Sequence, residues 1–373
     1  MPSSYPAVGT VAAALAVAIT LVTLALYKYN TFWPFKTSKA SARGHYSAIL
    51  HNMSFYERIL QTVYQKAGFT ICAGALRTQS AIFPLTWKEE ELNCTGVFSA
   101  WLRVADAQSA TANVAPRRMP AALRPEYTLF GTVPSGTWYK NEAFDVRNAT
   151  AHRWDQQLIA HYLFTAAFQF YGRFPYQWKG TLVLEEALSE FKLSGGRGLV
   201  VGTIQPWVEV MCLLHGASHV TTVEYHPINA SGVRLERKLL VTQPRTLARQ
   251  WLNSSQPRLH YDFAVSFSSL EHSGLGRYGD PLDPWADIRE TQKVSCLLKQ
   301  GGRFFLGLPS GRDFVAWNSA RSYGRIRWPL MAAGFKVEKI FCPRGKTELY
   351  PNRVSWVYQC VAVMTKRKPE DCL

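Results

Sequence analysis

Acidic residues are scarce in this 373-residue chain, with 26 Asp and Glu against 42 Lys and Arg, a formal charge of +16 and a pI near 9.6. That balance favours acidic partners such as phosphate, anionic lipid, sulfated or carboxylated glycan, or nucleic acid, and a generally basic, solvated surface is its simplest account. The basic residues are scattered, and an Arg-rich stripe and an RNA-binding aromatic motif are both missing, so no nucleic-acid partner is expected. The seven cysteines (Cys72, Cys94, Cys212, Cys296, Cys342, Cys360, Cys372) lack Cys-x-x-Cys and any metal-ligand spacing, and one is left over if the others pair. Internal repeats are absent as well. What is plentiful is apolar mass, at 47% of residues, enough for a sizeable packed core and too much for wholesale disorder.

Charge is also missing from Ala7 to Leu26, a run made almost entirely of Ala, Val, Leu, Ile and Thr. About 20 such residues, at 1.5 Å rise, cross the ~30 Å hydrocarbon layer. A cleaved signal peptide is the competing reading, but the segment has no basic start and its apolar run is long, which favours an uncleaved anchor in lipid. Tyr27, Lys28, Tyr29, Phe32, Trp33 and Lys36 follow it as an interfacial girdle would. Lys28, Lys36, Lys39 and Arg43 come after the span and no basic residue precedes it, which would keep the body cytoplasmic. Five Asn-x-Ser/Thr sequons, at Asn52, Asn93, Asn148, Asn229 and Asn253, argue the other way, since they are useful only in the secretory lumen. They use half of the ten asparagines, and a single-pass secretory-pathway protein with a lumenal body is the reading adopted.

Four regions follow: an anchor with its flank over 1–36, a linker and mainly helical accessory region over 37–191, an α/β domain over 192–364, and a basic tail over 365–373. In the accessory region Leu158, Tyr162, Leu163, Ala166 and Phe170 recur at helical spacing within Trp154 to Tyr171. The aromatic density from Phe164 to Trp178 reads as core or as a lid over the second half. From Gly198 onward, strands and helices alternate, which predicts a mostly parallel sheet. Expected strands are Gly198 to Gly202, His219 to Glu224, Lys238 to Thr242, Asp262 to Phe267 and Arg303 to Leu308, with helices over Trp207 to Leu214, Arg245 to Leu252 and Trp285 to Leu298. Phe335 to Phe341 and Ser355 to Met364 read as an antiparallel pair at the sheet edge.

Gly202, ending the first strand just before a helix, makes a place where backbone N–H groups and a helix dipole meet polar or anionic ligand groups. Glu224, about 20 residues on at the end of the second strand, can hydrogen-bond both hydroxyls of a ribose. The chain here resembles the class I S-adenosylmethionine-dependent methyltransferases, and most closely the domain of unknown function 268 family among them. The resemblance is carried by Val201-Gly-Thr-Ile-Gln-Pro-Trp-Val-Glu209, by Val223-Glu-Tyr225, and most specifically by Ser268-Ser-Leu-Glu-His-Ser-Gly274 and its continuation to Asp283. Further blocks are Leu298 to Gly302, Phe305 to Pro309, and Asn318 with Arg321, Tyr323 and Gly324.

The resemblance implies a seven-stranded Rossmann-like methyltransferase sheet with an antiparallel edge hairpin, and S-adenosylmethionine as cofactor. It places Gly202, Thr203 and Ile204 at the methionine end of that cofactor, Glu224 at its ribose, and Ser268 and Ser269 along its face. The family's Gly-x-Gly-x-Gly loop is replaced here by Gly202-Thr-Ile-Gln-Pro206, with only its first glycine, and Thr242 and Gln243 stand where relatives place an adenine-binding Asp. His272 is the candidate proton acceptor from a hydroxyl, with Glu271 orienting or charging it; the alternative is that both cap a helix. Arg277, Tyr278, Asn318 and Arg321 are candidates to hold a small-molecule or glycan acceptor. Asp280, Asp283 and Asp287 read as turn and N-cap residues in preference to a metal site. The functional expectation is O-methylation of a hydroxyl acceptor. The alternatives are a non-catalytic binding protein with a degenerate cofactor loop and a different nucleotide-using transferase on the same scaffold.

Overall fold

The computed structural model describes residues 55–77, 80–88, 93–109, 114–142, 152–175, 177–230, 238–253, 260–343 and 349–372. The apolar run 7–26 lies outside them, and no described helix is long and apolar enough to cross a membrane. Labelled in chain order, the main helices are α1 (Cys94–Ser109), α2 (Gln156–Ala167), α3 (Gln177–Glu190), α4 (Trp207–Leu214), α5 (Pro244–Leu252) and α6 (Ala286–Leu297). The central strands are β1 (Arg197–Val201), β2 (His219–Val223), β3 (Leu239–Thr242), β4 (Tyr261–Phe267), β5 (Leu298–Pro309), β6 (Phe335–Phe341) and β7 (Gln359–Lys366).

These strands form one seven-stranded sheet in the order β3-β2-β1-β4-β5-β7-β6, a mixed, mainly parallel, methyltransferase-like α/β arrangement. β7 alone runs against its neighbours, pairing antiparallel with both β5 and β6, so the edge reversal expected from sequence is realised with β7 inserted beside β5. The strand order reverses at β1 beside β4, and in open sheets of this kind ligands bind at the carboxyl ends flanking such a point.

The inner strands are apolar through their middles, as in Leu199 to Val200, Phe263 to Val265 and Phe304 to Leu308, because both faces are covered there. Leu199, Ala264, Phe304, Leu306 and Leu308 enter one core, while Val200, Val265 and Phe305 enter the other, the alternation that a period of two imposes. α1, α5 and α6 cover the first face, and α2, α3 and α4 cover the second. The accessory region shares both cores, with Tyr64, Phe83 and Trp101 in the first and Ile159, Tyr162 and Leu184 in the second. It therefore folds onto the sheet as one body with it.

α2 is capped by Asp155, whose carboxylate accepts the Leu158 N–H at 2.9 Å. The helix ends at Ala167, short of the expected Tyr171. Phe164 in its last turn and Phe168 and Phe170 beyond it cluster at the surface, 51%, 42% and 44% exposed, and do not fill a core. β5 begins at Leu298, well before the expected Arg303, with a register irregularity across the polar Lys299-to-Gly302 stretch.

Three disulfides join Cys72 to Cys372, Cys94 to Cys296 and Cys342 to Cys360, which leaves buried Cys212 as the residue left over. β7 runs to Lys366, and the first disulfide staples Cys372, in the C-terminal segment, to the accessory region. Asn93, Asn229 and Asn253, the three described sequon asparagines, are all exposed.

Candidate active site

A cleft of about 320 Å³ opens at the carboxyl edge of the sheet, where β1, β2 and β4 end. Gly202 leaves β1 with φ +76°, a left-handed conformation in which a side chain is strained. It anchors that turn to β2 by donating its N–H to the Val223 carbonyl at 2.9 Å. The N–H groups of Thr203, Ile204 and Gln205 donate to no acceptor among the described residues, so three donors stand at the cleft wall ahead of α4.

The loop lacks the usual second and third glycines, and the accessory region holds it in their place. Trp154 Nε1 donates to the Ile204 carbonyl at 2.8 Å, and the Tyr162 hydroxyl donates to the Gln205 side-chain oxygen. The Thr203 hydroxyl turns onto the Gln205 carbonyl at 2.5 Å. Sequence reading had no means of assigning Trp154 and Tyr162 to this site, because neither carries a spacing relation to the loop.

Glu224 lies at the end of β2 on the cleft wall. Its Oε1 accepts the His226 N–H at 3.0 Å and approaches His226 Nδ1 at 3.2 Å, while Oε2 makes no hydrogen bond among the described residues. That geometry fixes the carboxylate and leaves one oxygen for a ligand. Pro244 lines the cleft where Thr242 and Gln243 were expected to meet adenine, and neither of those two reaches it.

Ser268 and Ser269 both line the cleft, as does His272. Ser268, with φ +52°, donates its hydroxyl to Glu271 Oε1 at 2.7 Å and receives Gln359 Nε2 at 2.8 Å. Glu271 itself lies behind the wall, and burial pushes its carboxyl up to about 7 against the opposing pull of Ser268.

His272 is oriented by a main-chain carbonyl and not by Glu271. Its Nδ1–H donates to Ser319 O at 2.6 Å, which leaves Nε2, 3.7 Å from Glu271 Oε1, as a lone pair. Burial, then the charges of Arg277, Arg321 and Lys140, push the imidazole down to about 3. An imidazole held down this far is neutral at physiological pH and can accept a hydrogen bond without keeping the proton.

Of the four acceptor candidates, Tyr278 alone lines the cleft. Arg277 is engaged by Glu142 Oε1 at 2.8 Å and lies 4.8 Å from the Tyr278 ring. Asn318, with φ +61°, accepts the Lys140 and Asn141 N–H groups at 3.0 and 2.7 Å and donates to Leu275 O at 3.2 Å. Arg321 is fully buried, donating to Ser273 O at 2.5 Å and facing Asp287 at 3.7 Å. Asn318 and Arg321 turn away from solvent because buried carbonyls and a buried carboxylate claim their donors, while part-buried Arg277 is held by Glu142 with its Nη1 3.4 Å from His272 Nδ1. The three aspartates are likewise committed: Asp280 to the N–H groups of Gly274, Gly276 and Tyr278, Asp283 to Trp285 and Arg289, and Asp287 to Arg327 and Tyr323.

Residues 195–352, which supply all of the cleft lining but Pro175, match the family model described as "Caenorhabditis protein of unknown function, DUF268". This α/β domain is DUF268-like. No curated protein matches the chain. Among solved structures, this chain is similar to 1,6-didemethyltoxoflavin-N1-methyltransferase from Burkholderia thailandensis, solved with S-adenosylhomocysteine. The identity is 15%, with 57% of this chain and 91% of that one covered and a TM-score of 0.38. N-methyltransferase NodS from Bradyrhizobium japonicum, also with S-adenosylhomocysteine, matches at 15% identity over 57% of this chain and 98% of that one, with a TM-score of 0.35.

Proposed function

We propose that this chain is an S-adenosylmethionine-dependent methyltransferase that methylates a hydroxyl of a glycan or small acceptor. The observation that supports the reading best is the pairing of the Gly202 turn, with three unclaimed N–H donors, and Glu224, with one unclaimed carboxylate oxygen, across one cleft at the sheet's switch point. These residues fit the cofactor: Glu224 would take the ribose hydroxyls and the 203–205 donors would meet its polar methionine end. S-Adenosylmethionine would supply an electrophilic methyl group there. His272 Nε2 would accept the hydrogen bond of the acceptor hydroxyl and aim its oxygen. Because the imidazole is held down at about 3, it orients the hydroxyl, and Glu271, pushed up to about 7 behind it, is a group able to hold the released proton near neutrality.

The N-terminal run 7–26 would anchor the protein in lipid, with the body in the secretory lumen. Three disulfides and three exposed sequon asparagines support that side, since disulfides persist in oxidising compartments.

A second reading, a binding protein on the same scaffold, is favoured by the altered 202–206 loop and the weak basicity of His272. Calorimetric titration with S-adenosylmethionine and S-adenosylhomocysteine separates the two. The enzyme reading expects saturable binding that weakens at least about tenfold in Glu224→Ala, with an unchanged melting temperature. Folded protein that binds neither ligand leaves the binding-protein reading in its place.

A further inference from the structure

A loop of the accessory region packs against the turn and the arginine that flank His272. Ser135–Thr137 pairs in parallel with Phe314–Trp317, and the chain then runs through Trp138 to Glu142. Its ties include Trp138 N–H to Trp317 O at 3.3 Å, the Tyr139 hydroxyl to Ala115 O at 2.6 Å, the two N–H groups on Asn318 Oδ1, and the Glu142 pair with Arg277. The same turn that supplies Asn318 supplies the Ser319 carbonyl that orients His272.

This fixed loop presents Trp138, 46% exposed, with the Lys140 ammonium 4.9 Å from its ring centre. Trp356 meets Trp138 at 5.8 Å between centroids and 59° between planes. It belongs to the segment tied to the cleft wall through Gln359, which donates to Ser268. Arg312 and Arg353, both exposed, are joined beside it by Arg312 N–H to Arg353 O at 2.9 Å. Among the described residues no carboxylate pairs with Lys140, Arg312 or Arg353.

Exposed tryptophan next to a cleft is costly surface that binding would recover. Two rings inclined to each other form a corner whose electron-rich faces suit the polarised C–H faces of a sugar ring. Unpaired cations around that corner suit carboxylate or sulfate groups. Stacked bases and phosphates would satisfy the same chemistry. The disulfides and exposed sequons favour a compartment where the available polyanions are glycans.

We propose that Trp138, Trp356 and Lys140 form an acceptor subsite for an anionic saccharide, a sugar bearing carboxylate or sulfate, that delivers its hydroxyl to His272. Delivery rests on the methyl-transfer reading; binding does not.

The test titrates the full-length protein with a heparin-derived hexasaccharide, with neutral maltohexaose, and with a short single-stranded oligonucleotide. Saturable, salt-sensitive binding of the heparin fragment is expected, with maltohexaose weaker by about tenfold or more. Trp138→Leu and Lys140→Gln should each weaken it about tenfold, whereas Lys140→Arg should retain it. Affinity for S-adenosylmethionine, measured on every variant, reports folding and the cofactor site separately. Heparin-fragment binding in a protein that ignores the cofactor would uphold the subsite and remove the methyl-transfer reading. Equal affinity for maltohexaose, preference for the oligonucleotide, or wild-type affinity in both variants would overturn the subsite.

Discussion

A side-chain carbon placed on Gly202 would collide with Ser269 Oγ, so the first turn of the cleft and the segment after β4 are packed against each other with no room to spare. Gly202 also holds φ +76°, and the two constraints are separable. Gly202→Ala should lower the melting temperature and abolish S-adenosylmethionine binding, with a stability loss of about 2–4 kcal/mol from strain and crowding together. Adding Ser269→Gly removes the collision but leaves the strained φ. The double variant is therefore expected to recover only part of the stability in thermal melts. Full recovery would show that the left-handed turn is not a constraint.

Glu209, fully buried in α4, accepts the Thr222 hydroxyl at 2.6 Å and leaves its other oxygen without a partner. Burial pushes its carboxyl up to about 8 from an ordinary 4.5. A pKa raised in the folded state stabilises fully below the unfolded value and loses that contribution as pH rises through the folded one. Between those limits the wild type should lose on the order of 1.4 kcal/mol per pH unit through this group. Glu209→Gln removes that slope, so the variant's melting temperature should gain on the wild type steadily between pH 5 and about 8. Parallel pH profiles for the two proteins would show Glu209 ionised in the fold.

Much of the sheet is legible in the sequence because its inner strands are buried on both faces and carry short apolar runs, as in Gly198 to Val201 and Phe263 to Val265. The Gly202 turn and Glu224 follow from strand ends, which local pattern locates well. The roles of Asn318, Arg321 and Arg277 do not follow. Their position after β5 or in the cleft loop says nothing of Lys140, Asp287 or Glu142, the distant partners that turn them inward. Ser135–Thr137 is equally silent, since its pairing with Phe314–Trp317 is non-local and three residues carry no periodicity. The low basicity of His272 comes first from burial and then from Arg277, Arg321 and Lys140, all set by the tertiary fold, so a reference value misjudges it.

Asp287 is the buried anion beneath this site. It bonds Arg327 through Oδ2 to Nε at 2.7 Å and Oδ1 to Nη2 at 2.8 Å, takes the Tyr323 hydroxyl at 3.0 Å, and faces Arg321. Two arginines and one aspartate leave a net positive charge with little solvent, and Arg321 and Arg327 also donate to main-chain carbonyls at Ser273 and Pro284. Asp287→Asn keeps the shape but leaves both guanidinium groups without a counter-charge. The expected loss is about 3–5 kcal/mol in denaturant unfolding, because breaking a buried pair strands its partner. Asp287→Asn with Arg327→Met removes one of the stranded charges and should recover part of that loss, as coupled residues in one network do not add. Independent, additive effects in the double-mutant cycle would mean that Arg321 and not Arg327 is the partner that Asp287 neutralises.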